Sequence, residues 1–281
     1  MMQPLWRLLL LLSFMPWFSL HAAPAQMWLL LNNSSDSRNS SGDVDLHILA
    51  VLQQLAAPEL QISPLRLGDA RTWLLLQKPG NYCALSKIRT PERTGFLHFS
   101  AKPSSVYPPL QLVSNQQLAE SPVDLQQLLS HNRKLNIGLV QGRSYGPHLD
   151  KLIKKFPANF YQRGGEYAAE TLLQMLAKQR LDAVIEFAAT VRGHQPQVPE
   201  SSRFVMHRLQ HQPVIMGYLV CHKSAEGHKL IQLIDQTMQR PDYRKQVVDL
   251  HRQYFSAEDF LLINDDLQQI FQPPLQQPAS E

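Results

Sequence analysis

The run NYCALSKIRTPERTGFLHFS, Asn81–Ser100, passes from a strand-like apolar segment straight into a Thr-Pro-Glu-Arg turn. Pro91 limits the turn and Arg93 closes it. A planar guanidinium fork held in place suits an anion, because its donors match a carboxylate or phosphate only when they are aimed. Two readings of Arg93 stand at this point. It either receives an anion or is a structural arginine paired with Glu92 or a backbone carbonyl. Exposed pairs of the second kind contribute less than ~1 kcal/mol.

Working outward, the chain alternates strand and helix patterns. Before the opening run come the apolar strand MWLLL (27–31), the polar tract 32–41 and VDLHILAVLQQL. In the last, Val44, Ile48, Val51, Leu52 and Leu55 recur with helical spacing. LQISPLRL is a second strand whose Pro64 predicts an edge or a bulge. DARTWLLLQ opens a short helix with Asp69 as its expected cap. After the opening run, PPLQLVS is extended and SPVDLQQLL is a short linker helix. KLNIGLV, YGPHLDKLIKKF, ANFYQRG, AAETLLQMLAKQR and LDAVIEF then repeat strand and helix in turn. RFVMHRL and PVIMGYLVCHK follow, and two helices at roughly 225–239 and 242–254 close the pattern. Such alternation predicts α/β architecture with mostly parallel sheets flanked by helices, in two lobes. The expected boundaries are 26–115 plus 217–260 for lobe one and 116–216 for lobe two. Residues 261–281 form a tail whose proline-bearing end, 272–281, is expected to be disordered.

The first 25 residues carry Arg7, an apolar run from Leu8 to Phe18 and then small residues at Ala22, Ala23 and Ala25. That order is a secretory signal, with cleavage expected after Ala22 or Ala25 and a periplasmic destination. Twenty-seven basic and 23 acidic residues leave a net charge of +4, too slight and too scattered for a nucleic-acid surface. The 11 histidines show no metal-ligand spacing, and no cofactor motif is present. Two cysteines, Cys83 and Cys221, reach an oxidising compartment in which a disulfide is permitted.

Four segments together, Cys83–Ser100, IGLVQGRSYG, LDAVIEF and GYLVCHKSAEGHKLIQLIDQTM, resemble bacterial extracellular solute-binding proteins of family 3. The resemblance spans nearly all of the chain after the signal. It implies a type II periplasmic-binding-protein fold that closes by hinge motion on a small anionic or zwitterionic solute. An ABC-type permease or the periplasmic domain of a membrane sensor is the implied partner, and the expected state is a monomer. Arg93 stands where the family grips a carboxylate. Gly142, Arg143 and Ser144 match the second lobe's anion turn, with arginine in place of the usual threonine. The strand that normally ends in an amine-binding aspartate ends here in Glu186-Phe187. Glu186 is read as a rim carboxylate, and Ser86 joins the expected ligand contacts. In the implied fold the strand bearing Cys221 returns beside the one bearing Cys83, so a Cys83–Cys221 bond is expected, with two separate thiols as the alternative.

Two enzyme readings compete. Gly142-x-Ser144-x-Gly146 fits a nucleophile elbow, with Asp182 or Glu186 and His211, His222 or His228 as later partners. A pair of cleft carboxylates could also act as a catalyst on the same fold.

Overall fold

The computed structural model describes residues 23–32, 42–132, 134–165, 167–195 and 203–271. The signal segment, the polar tract 33–41 and the tail 272–281 lie outside the described residues. The chain begins with β1 (Ala25–Asn32), α1 (Gly42–Ala56), β2 (Leu60–Leu67), α2 (Asp69–Leu76) and β3 (Tyr82–Lys87). A one-turn helix α3 (Pro91–Thr94), β4 (Leu97–Phe99) and β5 (Ser105–Tyr107) follow. The second series is β6 (Gln111–Ser114), α4 (Leu125–His131), β7 (Ile137–Val140), α5 (Pro147–Lys155), β8 (Phe160–Arg163), α6 (Ala168–Ala177), β9 (Ala183–Glu186), α7 (Ala188–His194) and β10 (Val205–Arg208). The chain returns through β11 (Ile215–His222) and ends in α8 (Ala225–Gln239), α9 (Pro241–Tyr254) and α10 (Ala257–Phe271).

Two sheets result. The first has the order β2-β1-β3-β11-β4, with β5 also paired to β11; the second has the order β10-β6-β9-β7-β8. β1 runs parallel to β2 and β3, whereas β11 runs antiparallel to β3, β4 and β5. Pro64 lies in β2, an edge strand, where the missing amide N–H costs no ladder bond. The apolar strands are buried on both faces. Leu29, Leu31, Cys83, Leu85, Leu219 and Cys221 enter one core, while Leu30, Ala84 and Val220 enter another on the opposite side. This period-two division explains why β1 reads as an unbroken apolar run.

The structure corrects three expectations and adds one element. β6 pairs in the second sheet, so the crossing falls before Gln111 rather than after 115. Asp69 lies inside the first turn of α2, where Gly68 holds the cap position without a side-chain bond. Residues 257–271 form a third C-terminal helix with Ile263, Leu267 and Phe271 buried, not a tail. The added element is α7, immediately after β9, in a segment for which the sequence reading set no expectation.

Cys83 and Cys221 are directly paired across β3 and β11, fully buried and joined in a disulfide, with their Cα atoms 4.1 Å apart. The bond spans 138 positions of chain and so encloses the whole second sheet. His251 of α9 anchors one of the connecting strands. Its Nε2 accepts from the Val106 N–H of β5 at 3.1 Å, and its Nδ1 donates to the Val247 carbonyl at 2.7 Å. Burial outweighs the latter bond and drives the imidazole pKa down to about 4.

Two predictions follow from these anchors. Replacing both cysteines with alanine is expected to cost about 2–5 kcal/mol in urea unfolding, because the long loop is freed in the unfolded chain. An unchanged midpoint would refute that contribution. His251 ionises at 6.5 when unfolded and near 4 when folded, so its contribution is complete above pH 6.5 and is lost as the pH falls towards 4. The full loss is roughly 3 kcal/mol. His251→Gln, which can both donate and accept, is expected to flatten this part of the stability profile relative to wild type.

Candidate functional site

The carboxyl ends of β1, β3, β7 and β9 face one another between the two sheets, the place where open α/β sheets receive ligands. They enclose a cavity of about 130 Å³. Its polar lining is Asp45, Asp69, Ser86, Lys87, Arg93, Tyr107, Arg143 and Ser144; Trp73, Phe187 and several aliphatic side chains complete it.

Arg93 is positioned by its own turn. The Thr90 hydroxyl accepts the Arg93 N–H at 3.3 Å, and Pro91 takes the first helical position, where its missing N–H is harmless. The guanidinium stacks over Trp73 at 4.2 Å, and its Nη1 donates to the Ile88 carbonyl at 3.0 Å. Nη2 reaches the Gly142 carbonyl of the other lobe at 3.3 Å, and Trp73 Nε1 donates to the same oxygen at 2.9 Å. Protein groups therefore join the lobes here directly. Gly142 has φ +82°, and a Cβ there would stand 3.2 Å from Trp73 Cδ1, so both backbone and space require glycine. Among the described residues Arg93 forms no ion pair. Burial lowers its pKa against the pull of Asp150, Asp69 and Glu92. The arginine thus combines both sequence readings: carbonyls orient it, yet most of its five N–H donors remain for an anion.

The neighbouring cations are already matched. Lys87 pairs with Asp69 at 3.3 Å. Arg143 Nη1 contacts Glu186 Oε1 at 2.9 Å and Oε2 at 2.7 Å, and Oε1 also accepts the Phe187 N–H at 2.9 Å. Burial works most strongly against the Arg143 charge, but Glu186, Tyr145 and Asp69 together outweigh it and its pKa is raised. Glu186 is fully buried and does not line the cavity, so it is a counter-ion beneath the floor rather than a rim carboxylate. Phe187 occupies the cavity wall and packs against Tyr107 at 5.3 Å.

Ser144 does not have the surroundings of a nucleophile. Its hydroxyl donates to Asp150 Oδ2 at 2.5 Å, and Asp150 Oδ1 accepts the Tyr145 N–H at 2.8 Å. No histidine bonds Ser144 among the described residues. Asp182, a possible triad acid, instead accepts the Asn136 N–H before β9 begins, at the end away from the cavity.

A second polar group went unread in the sequence. Asp45, in the first turns of α1, receives hydrogen bonds at Oδ1 from Ser86 Oγ (2.5 Å) and Tyr107 Oη (2.6 Å). Ser86 Oγ also lies 2.8 Å from Ser105 Oγ, whose hydroxyl can donate to it, and 3.0 Å from Tyr107 Oη, whose one proton goes to Asp45. Ser86 holds φ +56°, a conformation uncommon for a residue with a side chain, which turns its hydroxyl into this cluster. Burial raises the Asp45 pKa against the bonds from Ser86 and Tyr107 and the charge of Lys87.

Two α/β lobes joined by crossing strands, with an interlobe cavity at strand ends, are matched along nearly their whole length by solved structures. An ancestral arginine-binding protein bound to arginine superposes with TM-score 0.62 at 14% identity, covering 84% of this chain and 100% of that one. The fold is that of the periplasmic binding proteins. A histidine kinase sensor domain with similarity to periplasmic binding proteins gives TM-score 0.65 at 7% identity, covering 83% and 97% of the two chains. The substrate-binding protein of an amino acid ABC transporter gives 0.59 at 12%, covering 82% and 99%. No family model and no curated protein matches the chain. Among the described residues, no helix of this binding-protein fold is long and apolar enough to cross a membrane.

Of the residues singled out by sequence, Arg93, Gly142, Arg143, Ser144 and Ser86 line one cavity, and Glu186 lies behind it. Trp73, Lys87, Tyr107 and Asp45 were missed. Asp45 alone had a signal: an acidic residue opening the helix that follows the first parallel strand must lie near that strand's carboxyl end. Glu186→Gln is expected to lower unfolding stability by about 3 kcal/mol, the low end for breaking a buried pair because the Arg143 side chain keeps 26% exposure. Denaturant titration checks this; a loss below ~1 kcal/mol would mean that Arg143 finds water instead.

Proposed function

We propose that this is an exported solute-binding protein, working in the periplasm after loss of its N-terminal signal. It takes a small anionic or zwitterionic solute between its lobes and presents it to an ABC-type permease or to the outer domain of a membrane sensor. The reading makes it a monomer and a binder rather than an enzyme. One observation carries it. Arg93 is a half-buried guanidinium in the interlobe cavity, pre-aimed by Thr90 and Trp73, and among the described residues it forms no ion pair with a carboxylate. Leaving a buried charge to dipoles alone is costly, and an incoming carboxylate relieves that cost. Neighbours of the same fold described as amino-acid binders and as a kinase sensor domain fit either output. The serine-hydrolase alternative lacks support, since the Ser144 proton is directed to Asp150.

A thermal-shift screen of amino acids, organic acids and peptidoglycan fragments tests the proposal. A true ligand at ~100 times its dissociation constant is expected to add ~2.7 kcal/mol of stability. Arg93→Ala is expected to weaken that ligand by about 30-fold to several thousand-fold, equivalent to ~2–5 kcal/mol for a charge-assisted contact. Arg93→Lys is expected to bind poorly too, because a point charge cannot reproduce the fork. Unchanged affinity in calorimetry, with a much earlier melt of the unliganded variant, would make Arg93 a structural residue.

A further inference from the structure

The cavity contains two opposite charges that form no ion pair among the described residues. The positive one is Arg93. The negative one is Asp45, which makes no ion pair among the described residues and whose Oδ2 takes no hydrogen bond there. Lys87 is committed to Asp69 and Arg143 to Glu186. We infer that Asp45, held by Ser86 and Tyr107, is the receptor for a ligand ammonium group, so that the ligand is an amino-acid-type zwitterion whose cationic end is bound by lobe one. This deepens the function proposed above and rests on Arg93 receiving the carboxylate.

Spacing supports the pairing. Asp45 is bonded to Ser86 and Arg93 to the Ile88 carbonyl, two positions apart on the same strand end. Each residue advances the chain by at most ~3.6 Å, so the two anchors are at most about 7 Å apart. One small molecule can touch both. Among the described residues the other lobe lines the cavity with no acid: Phe187 is apolar, Glu186 beneath it is spent on Arg143, and Asp150, outside the lining, is held by Ser144 and the Tyr145 N–H. Tyr107 and Ser86 both direct hydroxyl donors at Oδ1, an arrangement that favours the ionised carboxylate and leaves Oδ2 for the ligand. Burial holds the Asp45 pKa up, and a cation beside it restores the charge.

Asp45→Asn keeps the shape and removes the charge. The test measures the L-amino acids against wild type and this variant, each beside the ammonium-free carboxylic acid of the same carbon skeleton. Wild type is expected to bind at least one amino acid at least tenfold more tightly than its ammonium-free partner. Asp45→Asn is expected to abolish that preference while still binding the plain acid, and its unliganded melting curve reports that the fold is intact. Arg93→Ala serves as the contrast and is expected to lose both compounds. If wild type binds both members of a pair equally, or Asp45→Asn keeps the preference, the ammonium receptor is wrong while the Arg93 reading stands. If no member of either class binds wild type, both fall.

Discussion

The antiparallel entry of β11 between β3 and β4 is the constraint on which the cleft depends. It carries the chain back from the second sheet, and it is fixed to β3 by Cys83–Cys221. Its pairing with β3 shifts register between Tyr218 and Val220, opposite the residue that adopts positive φ, Ser86. Gly217 makes this possible, since a Cβ there would come within 2.5 Å of Ser105 Oγ and 2.9 Å of Ser86 Cα. The same strand pairs with β5, which supplies Ser105 and Tyr107 to the Asp45 cluster. A structural return strand thereby shapes one end of the interlobe cavity.

The cavity's charges divide by partner rather than by sign. Lys87 and Arg143 meet carboxylates within the protein, and the Arg143–Glu186 pair sits partly below the surface that a ligand would touch. Such pairs set shape and potential without themselves demanding a ligand. Arg93 and Asp45 are different, because their direct partners among the described residues are carbonyls, hydroxyls and a ring face, and charges reach them only from a distance. In a medium of low effective dielectric, charges of this kind interact strongly with any ion that reaches them.

The lobes are also tied behind the cleft. Arg192 of α7 pairs with Asp259 and contacts Ser256 at the start of α10, and Arg208 of β10 approaches Glu258 at 3.6 Å. α10 belongs with the first lobe through its packing on α9 and β5. Any rotation of one lobe against the other must strain these contacts together with those that Trp73 and Arg93 make to Gly142. The two lobes are therefore joined by side-chain contacts both in front of and behind the crossing strands.

The sequence by itself determined the α/β alternation, because apolar runs buried on both sheet faces and helical stripes are local patterns. It determined the edge position of β2 through Pro64, and the aim of Arg93 through Thr90 and Pro91, since capping acts within one turn. The disulfide was legible only by way of the resemblance, which places the two cysteine strands side by side. Tertiary structure alone decided that Glu186 belongs to Arg143, that Ser144 belongs to Asp150, and that Asp45, Ser86 and Tyr107 form one cluster. Each of the two outer partnerships joins residues from separate elements, and Asp45 meets partners 41 and 62 positions away. No periodicity encodes such distances. They arise where the carboxyl ends of strands from two sheets converge, and that convergence is a property of the assembled fold.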